Sequence, residues 1–229
     1  MKQKVVMGLS GGMDSTTLLG FFLEHGYSVE CCIFYYGSKH NQWENKAAQD
    51  VLDFYKDVGS LVKGRLINIS QIMKGFKSNL LLSGGDIPEG HYHAENMRQT
   101  VVPSRNLIFA SIMAGIAESI GAEKIALGAH QGDHHIYPDC RAEFIKSLDE
   151  TICLSSDRKV EVICPFLKDD KTSILQYGYA FKIPVPYHLT RTCYKDQAIS
   201  CGKCGSCQER LSAFSFLGIA DPIQYAEAK

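Results

Sequence analysis

The apolar positions of this chain fall into short, nearly unbroken runs separated by amphipathic stretches. The first run, Val5-Val6-Met7, breaks into Gly8-Leu9-Ser10-Gly11-Gly12-Met13-Asp14-Ser15-Thr16 and resumes as Leu18-Leu19-Gly20-Phe21-Phe22-Leu23 before stopping at Gly26. A continuous apolar run reads as a buried strand, and the second run as a helix opened at Asp14-Ser15. Residues 28–36 predict a second strand, with Cys31 and Cys32 as small core residues inside it. Helical periodicity follows over 41–58 through Trp43, Ala47, Val51 and Phe54, and 65–69 predict a third strand. The pattern lapses over 74–100. It returns as an apolar helix over 106–119 capped by Gly121, a strand over 124–129, a helix over 142–154 and a strand over 160–164. A last helix carries Lys171 in its first turn and is ended by Pro184 and Pro186. Strands alternating with helices predict a doubly wound, parallel α/β sheet with helices on both faces and right-handed crossovers. Ligands of such sheets bind beyond the C-terminal strand ends, which is where the Ser-Gly-Gly turn lies.

Length and composition add limits. A chain of 229 residues suits one sizeable domain, read here as 1–186, with a small C-terminal segment, 187–229, packed on it. A net charge of −1 argues against a broad nucleic-acid-binding face. The longest apolar stretch, 107–117, is too short to span a bilayer, so no membrane role is expected. Met1-Lys2-Gln3 runs straight into a strand with no leader pattern, and nine cysteines in such a chain point to a reducing cytoplasm.

The chemistry concentrates in the turns. Gly11 and Gly12 lack Cβ atoms, so backbone N–H groups can close on a phosphate while the helix dipole favours negative charge. The loop lacks the Lys of a Walker-type motif. Between 74 and 100, His91 and His93 sit beside Tyr92; a mobile polar loop over the site is favoured over a metal site there. Arg105 and Asn106 stand at the mouth of a strongly apolar helix, where a guanidinium needs an anion or water. The loop from Gly132 and Asp133 to Tyr137, Asp139, Cys140 and Arg141 gathers hydrogen-bonding side chains at the expected site face. Lys171 in a first helical turn is unfavourable for the dipole unless it snorkels away or meets a phosphate.

Cys193, Cys201, Cys204 and Cys207 form a Cys-x7-Cys-x2-Cys-x2-Cys pattern, with Gly202 and Gly205 allowing a tight knuckle. Four thiolates suit tetrahedral Zn²⁺ with no open position, a structural site. An iron–sulfur cluster is the main rival, but the fourth cysteine expected before a proline is missing, since Gln208-Glu209-Arg210-Leu211 follows. A redox dithiol is a further alternative.

The Ser10–Ser15 turn resembles the pyrophosphate loop of the ATP-pyrophosphatase superfamily, whose adenine nucleotide α-hydrolase-like fold carries a five-stranded parallel sheet. More widely, the chain resembles the 7-cyano-7-deazaguanine synthase family. That resemblance rests on the same loop together with Tyr36-Gly37 and His40, Val102-Pro103 with Arg105-Asn106, and Tyr137-Pro138-Asp139-Cys140-Arg141 with Phe144. In the tail it rests on Thr192-Cys193-Tyr194, the three clustered cysteines, Arg210, Ala213-Phe214 and Asp221-Pro222 with Tyr225. Two departures stand out: Ser38-Lys39 where the family usually has Gln-Arg, and Arg191-Thr192 where many members have Trp-Ser.

The resemblance implies an ATP-dependent ligase that joins 7-carboxy-7-deazaguanine and ammonia, giving 7-cyano-7-deazaguanine (preQ0) through an adenylated acid and an adenylated amide. ATP and Mg²⁺ would be needed besides structural Zn²⁺. Gly8 to Thr16 would hold the nucleotide, with Asp14 near Mg²⁺ and Lys171 stabilising charge at the phosphates. Tyr36, His40, Arg105, Asn106, Asp133, Tyr137, Asp139 and Arg141 would face the deazaguanine. A homodimer is implied, and stable nucleic-acid binding is not. No cysteine near position 1 supports a built-in glutaminase, so ammonia is expected from solution or a partner. Rival readings are a variant that stops at the amide or passes the activated deazaguanine to another amine, one on a protein included. A tRNA-thiolating enzyme on the same fold and a non-catalytic nucleotide sensor are the others.

Overall fold

The computed structural model describes residues 2–92, 94–157 and 159–226. Met1 and His93, which entered the readings above, lie outside the described residues.

Five parallel strands form the sheet: β1 (Lys4–Gly8), β2 (Ser28–Tyr35), β3 (Val62–Asn68), β4 (Lys124–Ala126) and β5 (Glu161–Ile163). Their order is β3-β2-β1-β4-β5. The chain therefore winds from β1 to one edge, then crosses back to pair β4 against β1, with Met7 beside Ala126. This reversal opens a crevice at the C-terminal ends of β1 and β4.

Side chains alternate across the pleat and divide the core in two. On one face Val6, Cys32 and Ile125 pack under α4 (Arg105–Ile120) and α5 (Ala142–Ser155). On the other, Val5, Met7, Cys31 and Ile33 pack under α1 (Met13–Glu24), α2 (Asn41–Asp57) and α6 (Lys171–Ala180). Cys31 and Cys32 are thus core residues of opposite layers, as their run predicted. Burial in these layers pushes the Cys32 thiol up to about 12.

The predicted strand and helix order is found, and the differences lie at the ends. Strand β3 starts at Val62 rather than 65, because Lys63 and Gly64 are exposed at the sheet edge and interrupt the apolar pattern after Val62. Strand β4 pairs over three residues only, after which the chain leaves the sheet to line the crevice. The segment 74–100, expected as a mobile polar loop, is instead packed: it follows the short α3 (Ser70–Met73) and contains a 3-10 turn at Glu95–Thr100. It buries Leu80, Leu81, Tyr92 and Met97. The last helix, α7 (Gly205–Phe216), packs against α6 through Phe214, Leu175 and Tyr187.

Candidate active site and metal centre

The turn after β1 is built for close approach. Gly11 has φ of 74°, and a Cβ there would stand 2.4 Å from the backbone nitrogen of Ala48. No other residue fits this position. Ser10 Oγ accepts from the Gly12 amide at 3.2 Å and lies 3.1 Å from Ser15 Oγ, which donates to the Gly12 carbonyl at 3.2 Å. Gly12 caps α1 without any side-chain bond, so the helix start remains available to an anion.

Facing the turn across the crevice is Lys171, the first residue of α6. Asp170 caps that helix by accepting from the Ser173 amide at 2.7 Å. Lys171 is 6% exposed and its Nζ lies 3.1 Å from Asp14 Oδ2 and 2.6 Å from Glu209 Oε2. The cation at an unfavourable helix position is therefore held by two carboxylates. Burial alone would lower its pKa, but Asp14, Glu209 and Asp133 outweigh burial and keep it protonated. Asp14 shows the converse: burial would raise its pKa, while Lys171 and His130 hold it below the ordinary carboxylate value. Its Oδ1 is buried without a hydrogen-bond partner. An oxygen in that condition suits a hard divalent cation.

His130 completes this cluster. Its Nδ1 accepts from the Gly132 amide at 3.1 Å, which leaves the ring proton on Nε2. Nε2 lies 3.8 Å from Asp14 Oδ2 and 3.6 Å from Asp133 Oδ2. Asp133 in turn accepts from Tyr92 Oη at 2.7 Å.

A cavity of about 240 Å³ extends from the Ser-Gly-Gly turn between β1, β2 and β4. It joins Gly8, Leu9, Ser10, Gly12, Asp14, Ser15 and Lys171 to Tyr36, His40, Arg105, Asn106, Asp133 and Tyr137. Burial pushes the Tyr36 hydroxyl up to about 12. Arg105 lies 5.9 Å from the Tyr137 ring centre and is kept charged, against burial, by Tyr36, Tyr137 and Asp139. His40 Nε2 stands 3.3 Å from Glu44 Oε1. Phe34 and Phe109 stack at 3.9 Å on the apolar wall.

Gly11, Met13 and Thr16 stand behind the turn rather than in the cavity lining; Met13 and Thr16 are fully buried. Asp139 and Arg141 are also absent from the lining. Ser104, before α4, is left-handed with φ of 52° and gives no cap, so Asp139 Oδ2 accepts from the Asn106 amide at 2.9 Å instead. Arg141 Nε donates to the His134 carbonyl at 3.0 Å. Both hold the wall in place. In the other direction, sequence reasoning did not put His130, Tyr92, Phe109, Arg191, Tyr194 or Glu209 at the site. Tyr194 stood in the tail motif and Arg191 beside it as a departure from the family pattern, which was the available signal; Glu209 and His130 had none.

The four cysteine sulfurs of Cys193, Cys201, Cys204 and Cys207 all lie within 4.8 Å of one another and all four residues are buried. Cys201 Sγ accepts from the Lys203 and Cys204 amides at 3.4 and 3.3 Å, and Cys193 Sγ from the Cys201 amide at 3.3 Å. Amide donors stabilise thiolates, and sulfurs this close would repel unless a cation sat among them. One ion with bonds of about 2.3 Å fits this spacing.

A family model described as "Queuosine biosynthesis protein QueC" matches residues 4–218. The chain is 42% identical over 98% of its length to the whole of a 7-cyano-7-deazaguanine synthase of Pseudoalteromonas atlantica. It is 44% identical, with the same coverages, to 7-cyano-7-deazaguanine synthase 1 of Colwellia psychrerythraea. Among solved structures, a U34-tRNA thiolase of Methanococcus maripaludis with its [4Fe-4S] cluster aligns with a TM-score of 0.50 at 16% identity. That alignment covers 81% of this chain and 61% of that one. At such identity it speaks for the fold alone.

Proposed function

The chain belongs to the QueC family, and from that premise we propose that its crevice adenylates a deazaguanine carboxylate and carries it through to the nitrile. The protein is an ATP-dependent carbon–nitrogen ligase that makes 7-cyano-7-deazaguanine from 7-carboxy-7-deazaguanine and ammonia. The observation that carries this reading is the single cavity joining the phosphate-type turn and Lys171 to an aromatic, Arg-bearing wall.

In the first half-reaction a carboxylate oxygen of the substrate attacks the α-phosphorus of ATP and pyrophosphate leaves. Ammonia adds to the acyl carbon, a proton is lost and AMP departs, giving the amide. The amide oxygen then attacks the α-phosphorus of a second ATP, and a second pyrophosphate leaves. Loss of AMP and of the nitrogen-bound protons leaves the nitrile. AMP is the better leaving group at both steps, which is why an oxygen is activated twice.

The residues divide this work. The turn from Gly8 to Thr16 receives the triphosphate, with Ser10, Gly12 and Ser15 at its surface and Gly11, Met13 and Thr16 forming its base. Lys171 neutralises charge as the α–β bond breaks. Arg105 pairs with the substrate carboxylate, and Tyr36, His40, Asn106, Asp133 and Tyr137 line the ring's place, with Asp139 and Arg141 behind them. Holding both reactants in one cavity supplies much of the remaining rate. Mg²⁺ would be held at Asp14, whose Oδ1 is buried without a partner, and would supply charge neutralisation at the phosphates.

We assign Zn²⁺ to the four cysteines, as a structural ion of segment 187–229 packed on the 1–186 domain. Four thiols kept as ligands suit a reducing cytoplasm, the compartment we propose. Among the described residues no helix is long and apolar enough to cross a membrane. A homodimer is our proposal for assembly, since the apolar helix α4 fully buries only Ala110, Met113 and Ala117. Light scattering tests it.

Incubation with ATP, Mg²⁺, 7-carboxy-7-deazaguanine and ammonia, followed by mass spectrometry, tests the function. The nitrile is expected. Amide that accumulates without nitrile, or ATP left intact, contradicts it.

A further inference from the structure

Glu209 links the metal knuckle directly to Lys171. Helix α7 begins at Gly205 with Cys204 as its cap and Cys207 in its first turn, so two of the four metal ligands fix its start. Glu209 lies two residues beyond Cys207, and its carboxylate reaches Lys171 Nζ at 2.6 Å, closer than Asp14 at 3.1 Å. The opposite wall leaves room for it. A Cβ at Gly132 would stand 2.7 Å from Glu209 Oε1, so any other residue there would press on this carboxylate. The side chain is 14% exposed and Lys171 6%, so little solvent screens the pair.

We infer that Glu209 is a positioning residue for Lys171, and that the four-cysteine site, through the helix it starts, sets where that lysine stands. The inference rests on the proposed adenylation and goes beyond a staple for the tail. Were Asp14 to serve Mg²⁺, Glu209 would remain the anion in contact with the ammonium, with Asp133 acting at longer range, while a phosphate approaches from the cavity. A structural ion alone needs no such contact. Nucleotide held on Lys171 therefore steadies Glu209 and α7, and coupling between two sites is reciprocal.

The test uses zinc-loaded full-length protein and follows metal release to a colorimetric chelator, with and without Mg²⁺ and α,β-methylene-ATP. In the native protein the analogue is expected to slow release about fivefold or more, the lower end of ordinary coupling between sites. In Glu209→Gln the zinc content and basal release rate stay close to native, but the analogue no longer slows release. Its kcat for AMP formation falls about tenfold or more while KM for the acid changes little, the split expected when an interaction acts in the transition state. Lys171→Met reports from the other end: zinc stays bound and the slowing is again lost. Native-like slowing in either variant, or no slowing in the native protein, overturns the inference. Binding of the analogue is measured separately by calorimetry. If it does not bind, the adenylation reading fails; if it binds and release is unchanged, only the coupling fails.

Discussion

Two buried cations, Lys171 and Arg210, stand on adjoining helices and serve different ends. Arg210 is fully buried and spends every donor on the protein. Its Nε and Nη2 grip Asp221 at 2.8 and 2.9 Å, Nη1 reaches Thr190 Oγ1 at 2.6 Å and Thr192 Oγ1 at 3.3 Å, and Nη2 also reaches the Tyr187 carbonyl at 3.1 Å. Tyr225 closes the other side of Asp221 at 2.6 Å. Lys171 has carboxylates on two sides and a cavity in front, and Asp14 beside it keeps an oxygen without a partner. A fork of fixed donors satisfied in full makes a brace. A point charge left partly unsatisfied at a cavity wall makes a site.

The contrast breaks down if the two cations respond alike to removal. Arg210→Met strands Asp221 and should destabilise the fold by about 3–5 kcal/mol, the range for breaking a buried ion pair, as read by denaturant melts. An intact melting curve would show that Arg210 is no brace. Lys171→Met should cost about 10²–10³-fold in kcat for AMP formation, the scale of one lost electrostatic contact, with a smaller change in the melt than Arg210→Met, because Asp14 and Glu209 are 22% and 14% exposed against 4% for Asp221. Gly11→Ala sharpens the comparison from the phosphate side. Its 74° φ and the 2.4 Å approach to Ala48 should cost about 1–3 kcal/mol of backbone strain, seen as weaker nucleotide binding in calorimetry. Unchanged binding would contradict the cradle.

The smallest effect expected is in alkali. Folding raises the Tyr36 pKa from 10.0 to about 12. Its contribution to stability is then full below pH 10.0, and is lost as pH rises through about 12, because the unfolded chain ionises first. Tyr36→Phe should lose less stability than the native protein between those values, measured by urea melts at each pH. An equal loss would mean that Tyr36 is not shielded in the crevice.

The sheet was legible because β1 and β2 are buried on both faces, so their apolar runs carry no competing solvent pattern. Edge strand β3 was clipped at its start for the opposite reason, since Lys63 and Gly64 face water. The close-packed turn after β1 was readable from glycine spacing, and the four-cysteine cluster from its intervals, because both are local. The partners of Lys171 were not. His130 comes to Asp14 from the loop after β4 and Glu209 to Lys171 from the tail, and nothing near either residue in sequence announces the meeting. Asp139 and Arg141 were expected at the substrate from the family resemblance, in a polar loop at the site face. The left-handed Ser104 leaves α4 without its own cap, and Asp139 is consumed in supplying one.

Oxygen tracing tests the central claim most directly. Substrate whose carboxylate carries ¹⁸O in both oxygens is converted with unlabelled ATP, and the AMP is weighed by mass spectrometry. Activation of the carboxylate and then of the amide at the α-phosphorus predicts one ¹⁸O in each AMP released, with unlabelled pyrophosphate and a nitrile that retains none. AMP without label, or ADP and phosphate in its place, would contradict adenylation in this crevice.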